Sequence, residues 1–170
     1  MPDVVARNLD VLFCGINPGL YSAAIGCHFA RPGNRFWRAL HEGGFTPELL
    51  GPFDQARLLD CGCGVTNLVG RATAVAAELS KEELQRGKVN LARRVRTWSP
   101  LCVAVLGIGA YRIAFREPGA QFGPQGDLLS GARLWILPNP SGLNAHHQPR
   151  ELAGLFRELR DAVAGWKEGK

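Results

Sequence analysis

The sequence predicts an α/β fold, a three-layer α/β/α sandwich around a central, mainly parallel sheet of four to five strands. Three observations carry this. Short apolar runs alternate along the chain with stretches of helical periodicity. The runs are continuous rather than alternately polar, as in strands covered on both faces. Gly, Asn and Pro follow the strands directly, and in sheets of this kind functional groups collect on the loops at the strands' carboxyl ends.

Residues 9–14 form the first apolar run, ending at Gly15. Residues 34–42 read as a helix stopped by Gly43-Gly44. A weaker strand is expected at 65–69, after the glycines at 62 and 64. Ser80-Lys81-Glu82-Glu83 has the capping-box spacing, and Leu84, Leu91, Ala92 and Val95 then share one helical face up to Trp98-Ser99-Pro100. Residues 101–106 are the clearest strand and lead through Gly107-Ile108-Gly109 into a helix over 110–115. Residues 117–131, rich in Gly, Pro and Gln, read as loop, and 134–137 as the last strand. Pro149 can open a final helix, in which Leu152, Leu155, Phe156, Leu159 and Val163 keep a 3.6-residue period.

A chain of 170 residues fits one domain over 1–170. With 46% hydrophobic and 21% charged residues it is neither disordered nor fibrous. The first residues lack the cationic flank and apolar core of a signal peptide, and no apolar run reaches bilayer length, so the expectation is a cytoplasmic protein without a membrane segment. The five cysteines, at 14, 27, 61, 63 and 102, form no Cys-x-x-Cys blocks. Reduced, mostly buried thiols are expected for them, the close pair Cys61-x-Cys63 included. Neither they nor adjacent His146 and His147 point to a metal, and no cofactor is expected.

The net charge of +5 and a pI near 9.2 favour a polyanionic partner. Arg86, Lys88, Arg93, Arg94 and Arg96 lie in one stretch without an acid, and Arg31, Arg35 and Arg38 form a second cluster. Either a solvated helix face or phosphate contact accounts for the first group.

Two loops concentrate chemistry. Gly15-Ile16-Asn17-Pro18-Gly19-Leu20-Tyr21-Ser22 follows the first strand, and Pro138-Asn139-Pro140-Ser141-Gly142-Leu143-Asn144 follows the last. Each sets Asn before Pro, a tight turn that aims an amide and several backbone N–H groups into one crevice. Structural turns would use the same residues, but two at strand ends, one with a large apolar Leu143 between Gly and Asn, point to a binding edge. A nucleotide- or phosphate-binding protein is the rival from another class. No Gly-x-x-x-x-Gly-Lys-Ser/Thr loop exists, however, and Gly107-Ile108-Gly109 lacks the third glycine of a dinucleotide fingerprint.

Four ordered blocks, Gly15-Ile16-Asn17-Pro18-Gly19, Phe29-Ala30-Arg31-Pro32-Gly33-Asn34-Arg35-Phe36-Trp37, Gly64-Val65-Thr66-Asn67-Leu68-Val69 and Asn139-Pro140-Ser141-Gly142-Leu143, resemble the mismatch-specific uracil-DNA glycosylases and their thymine-DNA glycosylase relatives. The resemblance runs over residues 9–160. It implies a monofunctional glycosylase that everts uracil, with ethenocytosine or thymine as alternatives, from G-mismatched duplex DNA. The implied partner is double-stranded DNA with a mismatched or damaged base, met by a monomer, and a module that binds mismatched DNA without cutting it is a further rival.

By the same resemblance Asn17 holds the hydrolytic water and Phe29 stacks on the extruded base, with Ile16, Ser22 and Asn67 completing the base pocket. Asn139, Ser141, Gly142, Leu143 and Asn144 form the loop that plugs the duplex. Arg31, Arg35, Arg93 and Arg94 are the candidate phosphate contacts, with pairing to an acid inside the domain the equal alternative for Arg35. An amide suits the chemistry, since its carbonyl oxygen can hold water against the sugar carbon without removing a proton. Asp60, behind apolar Leu58-Leu59, is the competing water activator if desolvated, and otherwise a turn or helix-end hydrogen bonder. The plug loop departs from relatives that carry Ser and Arg after the Leu, because Asn144, Ala145 and His146 follow here. Contact to the opposite guanine through that arginine therefore does not carry over. Small Ala23 and Ala24 leave room for bulkier bases.

Overall fold

Continuous apolar sequence builds β1 (Val11–Gly15) and β3 (Cys102–Leu106), and β2 (Cys63–Asn67), which ends in polar Thr66 and Asn67, pairs beside β1; all three are buried along their whole length. Two further strands, β4 (Gly123–Leu129) and β5 (Ala132–Leu137), extend the sheet to the order β2-β1-β3-β5-β4. All pairings are parallel except β4 with β5. The computed structural model describes residues 1–142 and 146–169. Leu143 and Asn144 of the expected plug, together with Ala145 and Lys170, lie outside the described residues.

Side-chain alternation splits the core into two layers. Val11 and Phe13 of β1 point to one face, where α2 (Phe36–Glu42) and α5 (Pro149–Glu168) add Phe36, Leu40, Leu152 and Phe156. Leu12 and Cys14 point to the other, where α3 (Lys81–Trp98) and α4 (Ile108–Ala114) add Leu84, Leu91, Val95 and Tyr111. The expected three-layer α/β/α architecture is therefore present. The capping signal at α3 is also used, since Ser80 Oγ accepts from Glu83 N at 3.1 Å.

Three elements differ from expectation. Residues 117–131 are not all loop, because β4 occupies 123–129 as an antiparallel edge strand. Its sequence, GPQGDLL, has no β-branched residue. Pairing comes instead from the hairpin: Ser130 and Gly131, at φ 47° and 89°, make the two-residue turn whose twist suits antiparallel strands. A short helix α1 (Leu20–Ile25) follows the first loop, and a 3-10 segment, Pro52–Cys61, precedes β2. Neither shows an apolar period long enough to read from sequence. No helix among the described residues is long and apolar enough to cross a membrane.

Candidate active site

The carboxyl ends of β1, β2, β3 and β5 open onto one cleft of ≈ 330 Å³, within the range of small-molecule sites. The loops after β1 and β5 face each other across it, joined by the residues around Phe29 and by the segment after β2. Parallel strands explain the convergence, since every strand delivers its following loop to the same edge. No Asp or Glu lines the cleft among the described residues.

Asn17 is half-buried and fully oriented. Its Nδ2 donates to Arg71 O at 2.8 Å and to Thr73 Oγ1 at 2.7 Å. A backbone carbonyl can only accept, so the amide nitrogen must face Arg71 and the Oδ1 is turned away from it. Among the described residues nothing donates to that oxygen. The 71–73 segment is tied to the loop a second time, by Thr73 N donating to Pro18 O at 3.2 Å.

Phe29 holds a left-handed backbone at φ 53°, unusual for an aromatic residue. Its ring stacks on Phe36 at 4.1 Å and lies against Gly15. The turn is held by Ala30 N, which donates to the buried Ser22 Oγ at 3.0 Å. Ser22 thus lines the cleft and also supports its aromatic wall. Asn67 ends β2 with its side chain buried against Gly15, and among the described residues its side-chain amide has no hydrogen-bond partner. A buried amide without a partner has unspent capacity for a ligand. Ile16 lines the same space.

The last loop is organised by an Asx turn, Ser141 N donating to Asn139 Oδ1 at 2.9 Å. Gly142 sits on the 33 backbone, where a β-carbon would meet Gly33 O at 2.8 Å.

The arginines and the acid separate. Arg31 is exposed and lines the cleft. Arg35 is turned inward: its guanidinium donates to His147 O and, at 3.2 Å, to Ser141 O. It braces the last loop from beneath. Arg94 is also engaged internally, with Thr66 Oγ1, with Asn67 O at 2.9 Å and with Asp3 at 3.6 Å. The fork of each is spent on acceptors within the fold, which corrects the expectation of free phosphate binders. Arg93 is exposed on α3, outside the cleft lining. Asp60 is exposed and precedes the amino end of β2, opposite the edge where the cleft opens. Neither desolvated nor near the cleft, it is excluded as a water activator here.

Two polar lining residues escaped sequence reading. Thr73 is a loop threonine with no pattern around it, 56 positions from the amide it meets. His28 is buried, its Nε2–H donating to Pro2 O at 2.8 Å, and burial pushes its imidazole below the ordinary value. Burial acts on three thiols in the opposite direction, raising Cys14 and Cys102 to about 12 and Cys63 as well, which keeps these three protonated. No metal-binding cluster occurs among the described residues.

Fold and cleft together define an α/β protein whose ligand site, at the carboxyl ends of parallel strands, is built from amides, hydroxyls and one aromatic ring. Residues 2–160 match the uracil DNA glycosylase superfamily, and the chain belongs to it. Its structure is similar to the solution NMR structure of a candidate uracil DNA glycosylase from Methanosarcina acetivorans. The TM-score is 0.62 with 20% identity, covering 94% of this chain and 96% of that one. At that identity the likeness speaks for the fold. Family membership supports DNA as the partner and glycosylase hydrolysis as the activity.

Proposed function

We propose that this protein hydrolyses the N-glycosidic bond of uracil in G-mismatched double-stranded DNA after everting the base, acting as a cytoplasmic monomer of the mismatch-specific branch. Ethenocytosine and thymine are the further substrates of this reading. Bond breaking places positive charge on the sugar and negative charge on the departing base, so the catalyst aids departure and presents water. The observation that carries the proposal is Asn17: both amide protons are tied to the 71–73 segment, leaving Oδ1 as an acceptor in a cleft that, among the described residues, no Asp or Glu lines. Such an oxygen holds a water by one of its hydrogens and aims the lone pair at C1′. Phe29 would stack on the everted base while the Asn67 amide pairs with its edge. Asn139, Ser141, Gly142, Leu143 and Asn144 would fill the gap in the duplex, and Arg31 would contact phosphate.

The test is single-turnover release of uracil from a labelled G:U duplex by the wild type and by Asn17→Ala. The variant should lose most excision and keep nearly all duplex affinity. Excision by Asn17→Ala at the wild-type rate would remove the role, and a wild type that binds the duplex without releasing base would favour a recognition module.

A further inference from the structure

Asn17 depends on a segment that is itself held from outside the cleft. Arg71 supplies the carbonyl that takes one Asn17 proton, and its own side chain reaches α3. There Nε and Nη2 donate to the two carboxylate oxygens of Glu83 at 3.0 and 2.9 Å, and Nη2 also donates to Glu78 O at 3.2 Å. On the other side, Thr73 Oγ1 donates to Val75 O at 2.9 Å, so a lone pair is what it presents to Asn17.

We propose that the Arg71–Glu83 pair is a positioning device for the hydrolytic step: Glu83, a helix residue outside the cleft, fixes through Arg71 which end of the Asn17 amide faces the water. This rests on the reading of Asn17 given above. A side chain held at both forks fixes the peptide to which it belongs, and here that peptide's carbonyl is the Asn17 acceptor. If Arg71 is released, the Asn17 amide can turn and present its NH₂, which cannot accept a hydrogen bond from water. Glu83 also stands at the capping-box position of α3, a role that Glu83→Gln preserves. Arg71 is half exposed, and ion pairs so placed contribute little to stability. Glu83 does lie in the first turn of α3, where an acid suits the helix dipole, but Glu82 beside it offers the same interaction without touching Arg71.

The experiment compares Glu83→Ala, Glu83→Gln and Glu82→Ala in the full chain. It reads single-turnover uracil release, G:U duplex affinity, and the side-chain amide signals of Asn17 by ¹⁵N NMR with their hydrogen-exchange rates. Glu83→Ala should slow release by about 10- to 100-fold, the scale of a small misplacement at a reacting centre, with affinity unchanged. Its Asn17 amide protons should shift and exchange faster. Glu83→Gln, which keeps one acceptor for Arg71, should recover most of the rate, and Glu82→Ala should match the wild type in every readout. Unmoved Asn17 signals in Glu83→Ala would overturn the proposal whatever the rate does, as would an equal loss in Glu82→Ala. If the signals move but Asn17→Ala excises normally, the support of Asn17 stands while the hydrolytic reading of that residue fails.

Discussion

A β-carbon on Gly15 would stand 2.8 Å from Oδ1 of Asn67, so the last residue of β1 is bare backbone on which the cleft's buried amide rests. The Phe29 ring would stand 3.5 Å from the same added carbon. Gly15→Ala is therefore expected to destabilise by about 1–3 kcal/mol, as overpacking does. It should also displace the Asn67 amide and slow base release. Urea unfolding and single-turnover excision check both; a wild-type result in each would mean that Asn67 yields freely.

Arg31 and Arg35 are four residues apart and predict opposite outcomes. Arg31→Ala should reduce the steepness of log affinity against log salt by about 0.9, the loss of one phosphate contact. Arg35→Ala should leave that slope alone, because its guanidinium is spent on the carbonyls of Ser141 and His147. It should instead cost about 1.5–3 kcal/mol of stability, the range for hydrogen bonds to a charged group. Salt titrations of duplex binding, paired with urea melts, separate the two.

His28 makes stability depend on pH. Burial lowers its folded-state value beneath 6.5, outweighing the Pro2 hydrogen bond that raises it. The unfolded chain then takes up the proton first, so this contribution is full above 6.5 and is lost as pH falls through the folded value. His28→Gln is expected to be less stable at neutral pH and to lose less between neutral and mildly acidic solution. Parallel slopes for the two proteins would show that the imidazole does not carry the effect.

Phe156 stacks on Phe13 at 5.9 Å and meets Phe36 edge-on at 6.2 Å. Because Phe36 in turn carries Phe29, this ring links α5 to the aromatic wall of the cleft. Phe156→Ala is expected to cost about 3–5 kcal/mol. Part of that loss should appear as weaker quenching by a base analogue in the duplex, and unfolding midpoints with fluorescence binding would measure each.

Much of this was legible in the chain itself. The continuous apolar runs of β1 and β3 and the capping spacing at Ser80 are local signals, and local signals survive without knowledge of the fold. The two Asn-Pro loops stood at strand ends and do face each other across one cleft. β4 was not legible, because an edge strand of Gly, Pro and Gln is recruited by its hairpin and its neighbour rather than by propensity. The partners of Arg35 and Arg94 were not legible for a related reason: a cationic side chain carries the same letter whether its partner is a phosphate or a carbonyl inside the fold.

The layered α/β class and the two Asn-Pro loops at strand ends follow from the chain alone, since apolar period and turn chemistry act over a few residues. Only the tertiary structure decided which way the Asn17 amide points, that Asp60 lies at the wrong edge, and which arginines are spent. Those outcomes depend on partners such as Arg71 and Thr73, more than fifty positions away. Directional hydrogen bonds between such distant groups exist only once parallel strands have carried their loops to a common edge.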